Sequence, residues 1–406
     1  VPVPADGALP AGALAGITDT PLGIYAHVPY CTTRCGYCDF NTYTALELGG
    51  PDAPPGADRA TWADAALAEL TLAARVLGPT APAVSTVFLG GGTPTLLPPA
   101  DLGRFVAGVR DRFGLLPGAE ITTEGNPETL EPASLAGLLE AGFTRLSVGM
   151  QAVAPHVLAT LDRRHTPGRA ALVVEQARAA GFASVSVDLI YGTPGETAAD
   201  LDAALAAAVD CGADHVSAYS LIVENGTRLA ARVRRGELPM PDDDVLADRY
   251  EQVDAALAAA GFSWYEVSNW ALTPADRCRH NLTYWRGANW WGVGPGAHSH
   301  VGGVRWWNRR HPAAWARALA EGVSPGHARE LLDPAARHAE RVLLELRLAD
   351  GLDLTVLDDA ETRVARRAVA DGLLESPPFA VGRAVPTRRG RLLVDGLVAD
   401  LLTAGR

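Results

Sequence analysis

The sequence predicts an α/β protein built as a partial (β/α)6 barrel, and three observations carry that prediction. Short apolar, strand-like runs alternate with helical periodicity from residue 22 to residue 222. Such alternation implies parallel strands joined by right-handed crossovers. The least ordinary side chains fall where the strand-like runs end, the place where function gathers in barrels and open parallel sheets alike. Six units are too few to close an eight-stranded barrel, so a partial barrel is preferred to a doubly wound open sheet.

Taken in order, residues 1–21 are rich in Pro, Ala and Gly and are expected to form a flexible tail without an export signal. Residues 22–28 read as a buried strand. The loop after it holds three of the five cysteines, as Cys31-x3-Cys35-x2-Cys38. Residues 46–59 are turn-rich and 62–76 helical. A strand at 85–89 ends in Gly90-Gly91-Gly92-Thr93-Pro94-Thr95 and leads into a helix at 99–113. The pattern repeats as strand 120–124, helix 132–141, strand 145–149, helical stretches over 155–180, strand 184–191, helix 197–211 and strand 215–222. A charged, proline-broken stretch at 232–244 marks a boundary, and a helix follows at 245–260. Residues 264–270 read as one strand. After them come Cys278-Arg-His280-Asn281-Leu-Thr-Tyr284-Trp285 and the glycine-rich run 290–300. Beyond Pro312 the chain is mostly helical, with 385–394 resembling the ribbon of a small winged-helix-like module. The expected organisation is a tail at 1–21, a barrel at 22–231, a linker with the His-Asn motif at 232–310, and a helical C-terminal domain at 311–406.

Composition narrows the function classes. The 406 residues are nearly half apolar, enough for a large core, and the net charge of −12 argues against a broad phosphate-binding surface. Every basic side chain in the Lys/Arg class is arginine, which coding bias in an Ala-, Gly- and Pro-rich chain explains. No apolar run approaches the ~18 residues of a membrane span. The cysteines suit a reducing cytoplasm.

Three thiolates on one short loop can hold three corners of a cubane iron-sulfur cluster and leave the fourth iron open to a small molecule. A structural zinc site wants four ligands and a disulfide leaves an odd thiol; clustering of core cysteines is the remaining bland account. Gly90–Gly92 let backbone amides approach a ligand, or make a tight turn into a helix. Glu124, at a strand end, suits hydroxyl or amino groups; the alternative is an exposed charge. Gln151 and Arg163 say little alone. Asp188 is one acid in a run fit for burial and needs a partner, for which Arg163 is the structural candidate. His280, Asn281, Tyr284 and Trp285 could line a flat ligand such as a porphyrin, with His280 a possible axial ligand of haem, or could pack an interdomain seam. Cys211 and Cys278 read as core residues.

These residues carry a resemblance. Cys31-x3-Cys35-x2-Cys38 with Tyr37 before the last cysteine resembles the signature of the radical S-adenosylmethionine (SAM) superfamily. With His27-Val-Pro-Tyr-Cys, Gly-Gly-Gly-Thr-Pro-Thr, Gly-Met-Gln151, Asp188-Leu-Ile-Tyr-Gly and His-Asn-x-x-Tyr-Trp285, the chain is similar over about 22–400 to the coproporphyrinogen III dehydrogenase-like group, and within it to HemW-type haem chaperones. Phe40 stands where the dehydrogenase family carries a fourth cysteine, and a short tail precedes residue 22 where that family has a longer amino-terminal segment. The resemblance implies a partial (β/α)6 TIM-like radical SAM barrel and a 4Fe-4S cluster on Cys31, Cys35 and Cys38. It also implies SAM contacts from Tyr25, Tyr37, Gly91, Gly92, Thr93, Glu124, Gln151, Arg163 and Asp188, with Leu221 or Ile222 near the adenine. The expected function is haem delivery to respiratory or other haem-requiring proteins, with haem as cargo, an electron donor as partner and no nucleic acid. No residue is assigned a catalytic role. Oxidative decarboxylation of coproporphyrinogen III and radical methyl transfer are the alternatives.

Overall fold

The computed structural model describes residues 1–50, 54–164 and 166–404, so part of the turn-rich stretch at 46–59 lies outside the described residues. After a short helix, α1 (Ala11–Leu14), six β/α units follow one another. They are β1 (Leu22–Val28) and α2 (Arg59–Leu77), β2 (Val84–Gly91) and α3 (Pro99–Phe113), and β3 (Leu115–Gly125) and α4 (Pro132–Glu140). Next come β4 (Arg145–Gln151) with α5 (Pro155–Thr160) and α6 (Arg169–Ala180), β5 (Ser184–Tyr191) and α7 (Ala198–Asp210), and β6 (His215–Ser220) and α8 (Arg228–Arg234). Strands β1 to β6 run parallel, each hydrogen-bonded to the next. Covered by helices outside and facing a lumen inside, β1, β4 and β5 are buried almost throughout and β3 over its second half, which is why they read as compact apolar runs. The helices start where sequence chemistry says they should. The Asp58 carboxylate accepts the Thr61 N–H at the head of α2, and Thr197 and Asp200 form a reciprocal capping box on α7.

The sheet does not stop at six strands. After α9 (Asp243–Ala259) come β7 (Ser263–Glu266), β8 (Asn269–Ala271), α10 (Arg279–Trp285), β9 (Asn289–Val293), β10 (His298–Val301), β11 (Val304–Asn308), α11 (Pro312–Ala320) and β12 (Gly326–Leu331). The order is β12-β11-β10-β9-β1-β2-β3-β4-β5-β6-β8-β7, with β9 parallel to β1 and β8 antiparallel to β6. Residues 232–310, expected as a linker, therefore extend both flanks of the barrel, because β1 and β6 would otherwise leave open edges. The single strand expected at 264–270 is a hairpin turning at Val267-Ser268. The N-terminal segment, expected as a flexible tail, is docked. Val1 and Arg329 exchange backbone hydrogen bonds, the Ser324 N–H donates to the Ala5 carbonyl, and Ala13 and Ile17 are buried.

The C-terminal part comprises α12 (Pro334–Glu345), β13 (Leu352–Asp353), α13 (Asp359–Ala370), α14 (Ser376–Ala380), β14 (Arg383–Ala384), α15 (Arg388–Leu392) and α16 (Val394–Thr403). It has its own apolar cluster, from Val342 to Leu401. Its small ribbon is β13 with β14, and most of 385–394 is helical, since the Thr387 hydroxyl caps α15 by accepting the Gly390 N–H. Among the described residues no helix is long and apolar enough to cross a membrane.

Candidate functional site

One cavity of about 560 Å³ runs through the barrel lumen. Its mouth is formed at the carboxyl ends of the strands. The cysteine loop follows β1, Gly91–Thr93 follow β2, Glu124 and Gln151 stand at the ends of β3 and β4, and Leu221 and Ile222 follow β6. Its floor is closed at the amino ends by α10, the helix that carries His280, Asn281 and Tyr284. Glu120 on β3 holds that helix in place, accepting the N–H groups of Arg279 at 2.9 Å and His280 at 3.0 Å.

Of the predicted residues, Tyr25, Cys31, Cys35, Tyr37, Cys38, Gly91, Gly92, Thr93, Glu124, Gln151, Arg163, Asp188, Ile222, His280, Asn281 and Tyr284 all face this cavity. Trp285 does not. It packs with Tyr265, Leu282 and Leu348 in a separate cluster outside the lumen.

Burial pushes the Cys31 thiol up to about 11 and raises that of Cys38. Among the described residues no three His, Cys, Asp or Glu side chains converge on a single ion. Thiols spread along a loop suit a cubane cluster, which takes one thiolate per iron. Arg163 reaches the loop from beyond α5: one Nη donates to the Cys35 sulfur at 3.4 Å and the other to the Gly149 carbonyl at 3.1 Å. Its Nε and the Thr122 hydroxyl are buried lumen atoms without a protein partner, as expected where a polar ligand supplies one. The glycines serve close approach. A Cβ at Gly91 would meet the His27 ring at 2.5 Å, and one at Gly92 the Tyr30 carbonyl oxygen at 2.5 Å. The lumen thus fits a cluster on the three thiolates with a polar small molecule beside it.

Glu124 accepts the Gly91 N–H at 3.0 Å, and burial, with Asp188 adding to it, pushes its carboxyl up to about 8. Asp188, also raised by burial, accepts the Ser147 hydroxyl at 3.0 Å. Arg163, the structural alternative as partner of Asp188, turns instead to the cysteine loop and the Gly149 carbonyl. His280 is held on both ring nitrogens. Its Nδ1 is bonded to Thr86 Oγ1 and its Nε2 to the Tyr284 hydroxyl, both at 2.8 Å, and its ring stacks on Phe88. Burial drives its pKa down to about 3. With Thr86 and Tyr284 on its two nitrogens, the ring forms a wall of the cavity floor.

Sequence reasoning missed much of the inner lining. Arg145, Ser147 and Gly149 on β4, Ser186 and Ile190 on β5, and His215, Ser217 and Tyr219 on β6 also face the cavity, beside the predicted Gln151 and Asp188. The signal was present as period-two alternation, with polar or small residues recurring inside apolar runs. Gln151 also has φ +67°, a strained setting for a residue with a Cβ and one that clusters at functional sites.

A radical SAM superfamily profile matches residues 25–208. A heme chaperone HemW from Mycobacterium tuberculosis (strain ATCC 25618 / H37Rv) is 55% identical over 391 residues, covering 96% of this chain and 97% of that protein. HemW of Escherichia coli (strain K12) is 35% identical over 282 residues, 69% of this chain and 70% of that protein. The solved structure of coproporphyrinogen III oxidase (HemN) from Escherichia coli, described as a radical SAM enzyme, superposes with a TM-score of 0.79 at 21% identity, covering 98% of this chain and 94% of that one.

Proposed function

The chain belongs to the HemW haem chaperone family within the radical SAM superfamily, and from that premise we propose that it binds haem and delivers it to haem-requiring proteins. In this reading Cys31, Cys35 and Cys38 hold a 4Fe-4S cluster, and SAM occupies the lumen against Gly91, Gly92, Thr93, Glu124, Gln151 and Asp188. A cluster so held supplies one open iron site and, when reduced by a donor, one electron. The chain's own groups do the rest. Tyr37, packed with the apolar group that includes Leu221 and Ile190, closes the side of the loop that faces the β5 and β6 ends. Arg163 holds a positive charge beside the Cys35 sulfur, where a thiolate is needed.

The observation that carries the reading is that near-full-length identity to HemW coincides with Phe40, rather than a further thiol, at the cavity mouth. Phe40 is 57% exposed there and Ile222 64% exposed, so the lip offers apolar surface to a flat, largely apolar cargo. Anaerobic reconstitution followed by haem titration and transfer to an apo-cytochrome tests it. Saturable binding and transfer are expected; absence of saturable binding overturns it. Coproporphyrinogen III offered with SAM and a reductant in the same assay is expected to remain unconverted, and its turnover to protoporphyrinogen overturns the chaperone reading in favour of the dehydrogenase.

A further inference from the structure

The cysteine loop meets the glycine-rich run after α10 through one side chain, and the geometry points to Asn41 as the residue that positions that loop for its cluster. The proposal rests on the reading that Cys31, Cys35 and Cys38 bind a cluster. The loop's first limb is tied at Gly36, whose N–H donates to the Leu161 carbonyl at 3.0 Å and whose carbonyl accepts the Leu229 N–H at 2.8 Å, and its ends are closed by Cys31 N–H to Tyr43 O at 3.0 Å and Tyr43 N–H to Pro29 O at 2.7 Å, while the Cys38 N–H has only the Cys35 carbonyl at 3.4 Å. Asn41, three residues past Cys38, fastens the second limb. Its amide nitrogen donates to the carbonyls of Pro295 at 2.9 Å and Arg310 at 2.8 Å, and its amide oxygen accepts the Tyr43 hydroxyl at 3.1 Å. Its backbone carbonyl accepts from His27 Nε2 at 3.0 Å. Both donors and the acceptor of the side chain are thereby used.

The receiving turn is shaped for this contact. Gly294 and Gly296 have φ of +109° and +75°, and a Cβ would lie 2.4 Å from the His27 carbonyl oxygen at the first and 2.7 Å from Asn41 Nδ2 at the second. Behind the turn, the buried Glu69 carboxylate accepts the Gly294 N–H at 2.8 Å, Asn308 Nδ2 at 2.7 Å and Trp315 Nε1 at 2.7 Å. The turn is so pinned to α2, β11 and α11. Asn41 does not line the cavity, so it acts through the loop and touches neither cluster nor SAM.

The test uses the full chain with Asn41→Ala and with Asn41→Asp, the second setting carboxylate oxygen against two carbonyl oxygens. In cluster-free protein, the amides of Cys31 and Tyr43 are expected to lose hydrogen-exchange protection while those of β1 to β6 keep it. After anaerobic reconstitution, iron release to a ferrous chelator is expected to be about tenfold faster, the change that losing ~1.4 kcal/mol of hydrogen bonding gives. Variants that retain both the loop protection and the parental release rate overturn the proposal. Should Asn41→Asp fail to fold, Tyr43→Phe, which removes one of the bonds, is expected to show the same loss of loop protection in smaller degree, and unchanged protection there overturns it too. The cluster reading fails separately: a triple Cys31→Ala, Cys35→Ala, Cys38→Ala chain that still takes up iron and sulfide sinks it, while exchange in cluster-free protein reports on Asn41 regardless.

Discussion

Gln151 ends β4 at φ +67°, a conformation that strains a residue with a Cβ by roughly 1–3 kcal/mol and that glycine adopts freely. Gln151→Gly is expected to stabilise the cofactor-free protein by about 1 kcal/mol in urea unfolding while weakening SAM binding in calorimetry. Equal affinity for the two chains would mean that the strain serves no ligand. Glu124 gives a pH signature. Its carboxyl is raised from 4.5 to about 8, so the folded state binds the proton more tightly, and its contribution is full below pH 4.5 and lost as pH rises toward 8. His27 and His280, lowered to about 4 and about 3, act oppositely, their contribution being lost as pH falls below 6.5. Between pH 6.5 and 8 the histidines are silent, and cofactor-free protein is expected to lose stability there; a parallel series with Glu124→Gln should be flatter. His280→Gln is expected to leave the Soret band and haem stoichiometry unchanged, since neither ring nitrogen is free; a shifted band would restore it as a ligand. Residue roles were legible where they depend on local spacing, as with the three cysteines. They were hidden where a partner comes from another strand, as Ser147 does for Asp188 and Thr86 for His280.

The helix α10 shows how one short element depends on a single distant side chain. It has seven residues, too few to stand alone, and its first N–H groups are satisfied by Glu120. Glu120→Ala leaves two of them without a partner and is expected to cost roughly 2–4 kcal/mol, read as a lower urea midpoint. An unchanged midpoint would show that packing alone holds the helix. At this scale the six parallel strands and their helices were legible because each is a compact apolar run closed by Gly, Pro or a capping side chain. The hairpin at 263–271 was not, because its turn is Val267-Ser268, with no Gly, Asn or Pro to break the alternation. Thr387 was a capping residue in sequence, yet without an acid three positions on it carried no capping-box signal and the helix after it was read as ribbon.

For the molecule as a whole, the twelve-stranded sheet makes the barrel and the segment after it one object. A chain ending at residue 231 lacks α10, β9 and the Gly294 turn. It is expected to aggregate through the exposed edge of β1 and to retain no cluster after desalting, measured by light scattering and iron content; a monomeric, iron-retaining fragment would show the barrel to be self-sufficient. The charge and proline read as a boundary near 232 do not divide the structure, since α8 runs across that position, and nothing local announces that the strands beyond it return to pair with the first. That pairing also orders events in time. During synthesis the cysteine loop leaves the ribosome well ahead of the carbonyls that receive Asn41, which lie 254 and 269 residues further on. Any cluster delivered to the nascent polypeptide would meet an unfastened loop, so iron loading belongs after translation has passed that point.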